Sequence, residues 1–442
     1  MSSSARRALM DEVSGRLRGS RVLWFGLRGE DIESLSDLPE LTASASVIAA
    51  WDGSTRSSIS LDSISGRRVD LDVYDIDAMP MGPSEQILLD TMTSWITDPT
   101  VLLPYRPSAF AMSLGLVEPQ TTVLGALAAS NSSLDDKPWV ETTLARRGVR
   151  TVPWVYVRSP DNTAVRTILR SRRSVIRPER SSGGVGLRLV SDTHELRSIL
   201  ADTPARFLCL APFFDGAISI NAAGVVWRDG ISLHPASVQI IGDDSFTTRR
   251  FGYCGNDFAA FHDLGLATAR QLEEMTLSVG EWLQSLGFLG AFGVDALLHQ
   301  GAVYFVELNP RLQGSSAASA LASRDAELPC VYLEHLASLL GFACPLERRP
   351  LLDQPVAPSL VVMHNVSGCD QRAAPVDTLS EWRPSERVVR RDLRPNPGTL
   401  VAPNAAFLRV FLETSITDSG GSIDPARRNQ ILSLGKPILG ES

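Results

Sequence analysis

The segment from Gly293 to Arg311, Gly-Val-Asp-Ala-Leu-Leu-His-Gln-Gly-Ala-Val-Tyr-Phe-Val-Glu-Leu-Asn-Pro-Arg, narrows the possible folds of this chain more than any other. Two apolar runs, Ala296–Leu298 and Val303–Val306, flank a polar turn around Gly301, the pattern of a buried β-hairpin. With a three-residue loop, Gln300-Gly301-Ala302, Asp295 stands opposite Glu307 and both point to one face. Asn309, two residues past Glu307, points the same way. Asp, Glu and Asn oxygens gathered at one point suit a hard cation, and Mg²⁺ held by one or two carboxylates plus nucleotide phosphates is the usual form. A two-residue loop would instead send Asp295 and Glu307 to opposite faces. The bland alternative is a surface hairpin whose Asn-Pro simply marks a turn.

At 442 residues, 44% hydrophobic and 21% charged, the chain is long enough for about three domains. A net charge of −8 argues against broad binding of nucleic acid or of an anionic membrane surface. No apolar run approaches the roughly 20 residues that span a bilayer, and the start, Met1-Ser2-Ser3-Ser4-Ala5-Arg6-Arg7, leads into a charged helical segment. The Asn131-Ser132-Ser133 and Asn365-Val366-Ser367 triplets are therefore not expected to carry glycans. Cys209, Cys254, Cys330, Cys344 and Cys369 are dispersed and form no CxxC pair, which reads as reduced thiols of a cytoplasmic protein.

Residues 1–134 read as an α/β unit, with strands Arg21–Leu27 and Thr100–Leu103 and a helix Glu85–Trp95. The polar run Ala129–Asp136 reads as a linker or helix cap. A helix Lys137–Arg147 closed by Gly148 follows, then strands Thr151–Val157 and Ser174–Arg177. The latter runs into the glycine-rich stretch Ser181-Ser182-Gly183-Gly184-Val185-Gly186 and a strand Leu187–Val190. Leu272, Met275, Val279, Trp282, Leu283 and Leu286 mark one face of a helix Ala267–Leu286. After about residue 345 prolines become frequent and arginines cluster, which suggests a separate C-terminal domain of short strands and loops. Its run Arg383, Arg387, Arg390, Arg391 and Arg394 alternates with Glu381, Glu386 and Asp392, which reads as self-paired charge.

Phosphoryl transfer needs Mg²⁺, cations on the phosphates and a glycine-rich loop whose N–H groups approach phosphate oxygens. No GxxxxGK[ST] loop and no kinase signature set is present. The Ser181–Gly186 stretch alone is equally compatible with an ordinary hairpin loop. The order of elements adds to it: Asp136-Lys137 heading a helix, Gly148-Val149, Val175-Ile176-Arg177-Pro178, the glycine-rich loop, the apolar segment Phe207–Gly216, then Asp295 and Glu307-x-Asn309-Pro310-Arg311. This set resembles the ATP-grasp superfamily of carboxylate–amine ligases over about residues 135–315.

The resemblance implies an α/β (α+β) ATP-grasp fold: a Rossmann-like N-terminal domain (1–134), a two-subdomain core gripping ATP (135–344, lid about 158–215) and a small C-terminal domain (345–442). It implies Lys137 and Arg177 on ATP phosphates, Ser181, Ser182, Gly183 and Gly184 in the lid, and Pro212, Phe213 and Phe214 in the hinge against adenine. It further implies Asp295, Glu307 and Asn309 on Mg²⁺, and Arg311 facing the transferred phosphate. ATP and Mg²⁺ are the cofactors so implied, a small-molecule carboxylate and an amine or peptide the substrates, and a homodimer the assembly. The chain departs from the family at Arg177, where lysine is usual; at Ala211-Pro212, where the hinge usually carries an acid; and at Gly293, where many ligases have arginine. Arg311, Arg249 or Arg250 must then stabilise charge. Overall likeness is narrower still, to peptide ligases of the pheganomycin-biosynthesis type. The expected activity is ADP-forming ligation through an acyl phosphate; a phosphotransferase, a carboxylase-type subunit and a non-catalytic nucleotide-binding protein are the rivals.

Overall fold

The computed structural model describes residues 4–46, 58–125, 133–158, 163–171, 173–202, 208–345, 347–375, 388–392, 394–418, 420–436 and 438–439. Part of the expected linker (129–132), Phe207 of the apolar segment, and Arg383 and Arg387 of the arginine run lie outside them.

Strands β1 (Arg21–Gly26), β2 (Leu41–Ser46) and β3 (Ser58–Ile59) are followed by the short β4 (Arg67–Arg68), then β5 (Thr100–Pro104) and β6 (Thr121–Val123). All but β4 form a parallel sheet in the order β3-β2-β1-β5-β6. The order reverses between β1 and β5, so the crevice beyond their carboxyl ends is the natural place for a ligand. Strands β7 (Val155–Val157), β8 (Ser174–Pro178), β9 (Arg188–Val190) and β10 (Leu208–Pro212) make a small antiparallel sheet, ordered β7-β10-β8-β9. It has its own core of Val157, Val165, Leu169, Ile176, Val190, Leu196, Ile199 and Leu210. The expected strand from Thr151 is shorter, starting at Val155; Pro153 has no N–H for a ladder, and Thr151 makes only a bridge to Phe305.

The largest sheet runs through β11 (Ile218–Val226), β12 (Ile231–Ile241), β13 (Tyr253–Asp257), β14 (Gly290–His299), β15 (Ala302–Asn309) and β16 (Ser359–His364). After the two-residue β17 (Gln371–Arg372) it continues with β18 (Val388–Asp392) and, past β19 (Leu400–Val401), with β20 (Ala406–Leu412). Its order is β15-β14-β11-β12-β13-β16-β20-β18. The C-terminal strands β16, β20 and β18 thus extend the central sheet, in place of the separate unit that proline frequency suggested. The remaining short strands join both ends of the chain in the order β17-β19-β4.

The helix Gly265–Ser285 packs on this sheet through Leu272, Met275, Val279, Trp282 and Leu283, each buried. Leu286, expected on the same face, is the C-cap and is exposed. Between the N-terminal sheet and the central one lies the helix Val331–Leu339, whose Val331, Tyr332, Leu333 and Leu336 meet Leu9, Val13 and Trp24 on one side and Val225 and Ala291 on the other. Charges close the seam with the C-terminal strands. Arg409, fully buried on β20, pairs with Asp392 at 2.5 Å and with Asp31 at 3.1 Å, and Arg390 pairs with Glu33 at 3.1 Å.

His335 ties the N-terminal sheet to the central one. Its Nδ1 accepts from the Ala291 N–H at 2.9 Å and its Nε2–H donates to the Pro104 carbonyl at 3.1 Å, so the ring is neutral. Burial pushes it down to about 4. A histidine held neutral in the fold contributes stability in full above its ordinary value and loses it as pH falls from about 6.5 toward 4. We expect roughly 3 kcal/mol of this protein's unfolding free energy to disappear over that window. Urea titrations at pH 7 and pH 4.5 test it: the pH slope should be visibly smaller in His335→Gln, and an unchanged slope would contradict the assignment. Among the described residues no helix is long and apolar enough to cross a membrane.

Candidate functional site

The hairpin β14–β15 forms, but with a shorter loop than expected. His299 pairs with Ala302, leaving the two-residue turn Gln300-Gly301, both at positive φ (51° and 77°), as a tight hairpin turn requires. Alone, that register would put Asp295 and Glu307 on opposite faces. A β-bulge corrects it: Ala296 pairs with Phe305 and Asp295 with Glu307, so Val306 is the extra residue. The bulge returns both carboxylates to one face, and Arg177 Nη1 donates to the freed Val306 carbonyl at 3.2 Å.

On that face Asn309 Nδ2 donates to Asp295 Oδ2 at 2.9 Å, and Gln239 Nε2 donates to Asp295 Oδ1 at 3.0 Å. Lys137 Nζ donates to Glu307 Oε1 at 2.5 Å and to the Ser181 carbonyl at 2.9 Å. Burial, and then the charge of Glu307, raise the Asp295 carboxyl to about 7. That corresponds to roughly 4 kcal/mol against the ionised form, which a cation between the two carboxylates would remove. Gln313, 8% exposed, keeps a buried Oε1 without a hydrogen-bond partner among the described residues. Asp295 and Glu307 therefore share one face with Asn309 beside them, and the unfavourable charge on Asp295 fits a hard divalent ion. Among the described residues no three or more His, Cys, Asp or Glu side chains come together at one metal-binding point. The protein supplies part of a shell, and outside oxygens must complete it, the arrangement Mg²⁺ favours.

Local chemistry explains why Lys137 is there. Asp136 caps the helix Lys137–Arg146 by accepting from Trp139 N at 3.1 Å. At the other end Gly148, φ 87°, closes it with Gly148 N–H to Ala145 O and Val149 N–H to Leu144 O. Lys137 is thus fixed in the first turn, buried, facing β15.

Arg177 is more committed than expected. Its guanidinium pairs with Glu141, lies 3.9 Å over the Trp154 ring and is 2% exposed. Burial holds it below its ordinary value. It braces the bulge beside Glu307, and a phosphate would have to displace these partners. The loop after β8 has Gly183, Gly184 and Gly186 at φ 53°, 77° and 75°. A Cβ on Gly184 would stand 2.2 Å from the Phe251 carbonyl oxygen, and one on Gly183 would collide with the Asp72 carboxylate. The loop is thus folded down on the N-terminal unit and the 249–252 turn. Arg249 is not free for substrate: it pairs with Asp72 at 2.7 Å and with Asp70.

At the hinge, Phe213 N–H bonds to the Arg173 carbonyl at 2.8 Å. Phe214 stacks on His299 at 4.7 Å and meets Tyr304 edge-on at 5.1 Å, and Phe213 meets Phe251 at 6.2 Å. Pro212, Phe213 and Phe214 line the apolar end of a cleft of about 800 Å³. Lys137, Arg177, Ser181–Gly184, Asp295, Glu307, Asn309 and Arg311 line the same cleft. Arg311 reaches it from the turn after β15, its backbone N–H bonded to the Asn309 carbonyl at 2.8 Å. Sequence reasoning missed Glu141, Trp154, Gln239 and Gln313. Gln313 continues the alternation of Asn309 and Arg311, and Glu141 stands one helical turn after Lys137, so both had a signal. Trp154, in the loop before β7, and Gln239, brought in by strand pairing across the central sheet, had none.

A family model described as an ATP-grasp domain matches residues 136–315. The acetyl-CoA carboxylase of Dictyostelium discoideum is 26% identical over 144 residues, which is 32% of this chain and 6% of that protein. This chain therefore corresponds to a small part of that relative. The biotin carboxylase domain of the Hydrogenobacter thermophilus 2-oxoglutarate carboxylase, a dimer in complex with MgADP, ADP and bicarbonate, superposes with a TM-score of 0.63 at 12% identity, covering 90% of this chain and 87% of that one. The N5-carboxyaminoimidazole synthetase of Staphylococcus aureus, complexed with ADP, gives a TM-score of 0.56 at 12% identity, covering 95% and 98%. At such identities the likeness is one of fold. The chain has the ATP-grasp fold, and the match to the ATP-grasp domain model falls on residues 136–315.

Proposed function

We propose that this chain is an ATP-dependent, ADP-forming ligase that joins an amino-acid carboxylate to the amine of an amino acid or peptide, in the manner of peptide natural-product ligases. The observation that carries the reading is the bulge at Val306, which gathers Asp295, Glu307 and Asn309 opposite Lys137 and beside Arg311 in one cleft with an aromatic end. In this reading Phe213 and Phe214 flank the adenine, and Lys137 and the Ser181–Gly184 loop hold the phosphates. Mg²⁺, when bound by Asp295, Glu307 and Asn309, supplies neutralisation of charge on the phosphate oxygens. Arg311 steadies the phosphoryl group as the substrate carboxylate takes it. The Gly183-Gly184 lid, already folded against Asp72 and Phe251, keeps water from the acyl phosphate. A cytoplasmic homodimer is the expected form.

Product analysis tests the class directly. Incubation with Mg·ATP and a pool of amino acids should yield ADP and phosphate in step with amide; AMP and pyrophosphate would overturn the proposal. A second reading is favoured by the fold neighbours, which are named as carboxylases and N5-carboxyaminoimidazole synthetases: the carboxylate is then bicarbonate. Release of ADP that depends on bicarbonate and not on amino acids would select it.

The lid gives a further expectation. Gly184→Ala puts a side chain where φ is 77° and the Phe251 carbonyl is in the way. The left-handed backbone alone costs roughly 1–2 kcal/mol. We expect about a tenfold loss of coupled turnover, with a larger share of ATP simply hydrolysed, and a fall in melting temperature of about a few degrees. A ratio of amide to ADP equal to wild type would remove the lid role.

A further inference from the structure

We propose that the cleft continues past Arg311 into a subsite for a zwitterionic acceptor, an amino acid or the end of a peptide. Arg28 and Arg106 hold its carboxylate there, and Asp135 holds its amine. The inference rests on the ligase reading above and names the residues and charge class of the second substrate.

The parallel sheet provides the first observation. Its order reverses between β1 and β5, and Arg28 and Arg106 lie just past the carboxyl ends of those two strands. Both line the cleft that also holds Arg311 and Glu307. Arg28 is fixed from behind: it stands 3.6 Å from Asp31, which buried Arg409 of β20 in turn grips at 3.1 Å. Its Nε is buried without a hydrogen-bond partner among the described residues. The C-terminal strands so acquire a role, positioning Arg28.

Charge supplies the second observation. Arg106 is matched by Asp75 at 2.6 Å and Asp77 at 3.4 Å, and Arg28 by Asp31. A phosphate-bearing acceptor needs cations that are not already neutralised, and this wall offers none in excess. A zwitterion has no net charge and suits a wall that presents both signs. Asp135 is the anion left over. It lines the cleft and makes no hydrogen bond or ion pair among the described residues, standing in the fields of Arg106, Arg311 and Lys137. Lys137 and Arg311 mark the phosphate end, so the amine points toward the chemistry and the carboxylate toward the N-terminal sheet. Asp135 then takes the proton the ammonium must lose. The amine nitrogen forms the C–N bond as the acyl C–O bond breaks, and phosphate leaves with that electron pair.

Calorimetry on the full chain loaded with Mg·AMP-PNP tests this. Glycine and glycylglycine are the zwitterionic probes; acetate, methylamine and ribose 5-phosphate are the controls. The zwitterions should bind about tenfold or more tightly than any control. Arg28→Ala, Arg106→Ala and Asp135→Asn should each weaken glycine by about tenfold and leave nucleotide affinity within about twofold. Arg106→Lys, which keeps the charge beside Asp75, replaces the alanine variant if that one does not fold, and should still weaken glycine because the paired guanidinium donors are lost. Ribose 5-phosphate binding as tightly as glycine, no glycine binding, or glycine affinity untouched by the variants overturns the subsite. Failure of the nucleotide to load sinks the ligase reading alone; glycine titrated into the nucleotide-free protein then decides the subsite by the same criteria.

Discussion

Glu307→Gln should lower turnover by about 10³-fold or more while the protein stays folded. Glu307 is one of two carboxylates that the bulge brings to one face, and it is also the partner of Lys137. Glutamine keeps the shape and an acceptor for Lys137, so the loss falls on charge. Without it, Asp295 is the sole carboxylate in the converging set, and Lys137 is freed to bind phosphate more tightly. Nucleotide affinity measured without Mg²⁺ should thus be equal to or higher than wild type, and its dependence on Mg²⁺ should weaken. Wild-type turnover in this variant would remove the metal assignment. A collapse of thermal stability would instead make the Lys137–Glu307 pair structural.

Arg311→Ala should produce the second largest effect, about 10²–10³-fold in the chemical step with the KM for ATP changed only a few-fold. The physical ground is that, among the described residues, the Arg311 guanidinium donates only to the Leu312 carbonyl, at 3.2 Å, and forms no ion pair. Its charge is therefore available to the cleft, in contrast to Arg177 and Arg249, which are spent on Glu141 and on Asp70 and Asp72. A variant that loses ATP binding and keeps its chemical step would assign Arg311 to nucleotide capture.

These expectations show what could be read from the chain alone. The spacing of Asp295, Glu307 and Asn309 signalled a shared face, yet the loop length assumed for it was wrong by one residue. The hairpin obeys the two-residue preference of Gln300-Gly301, and Val306 absorbs the mismatch as a bulge. A bulge has no strong local signature, since the group that satisfies its freed carbonyl lies far away in the chain, here the Arg177 guanidinium on β8 of the small sheet. The helix from Lys137 to Arg146 was legible because its cap, Asp136, and its stop, Gly148, are local chemistry. The reach of β16, β18 and β20 into the central sheet was not, because prolines and arginines report on loops and surfaces, and strand order is decided by long-range pairing. Arg28, Arg106 and Asp135 were silent for the same reason: nothing near them in the chain says that the sheet topology carries them to one cleft.

Hydroxylamine trapping tests the central claim most directly. The protein would be mixed with Mg·ATP, a pool of amino acids and small carboxylates, and hydroxylamine as a generic amine, with ADP and hydroxamate read together by mass spectrometry. Hydroxamate in equal amount to ADP, and absent in Glu307→Gln, is the predicted result and also identifies the carboxylate. ADP formed without hydroxamate, or nucleotide bound with neither product, would contradict acyl-phosphate ligation by this cleft.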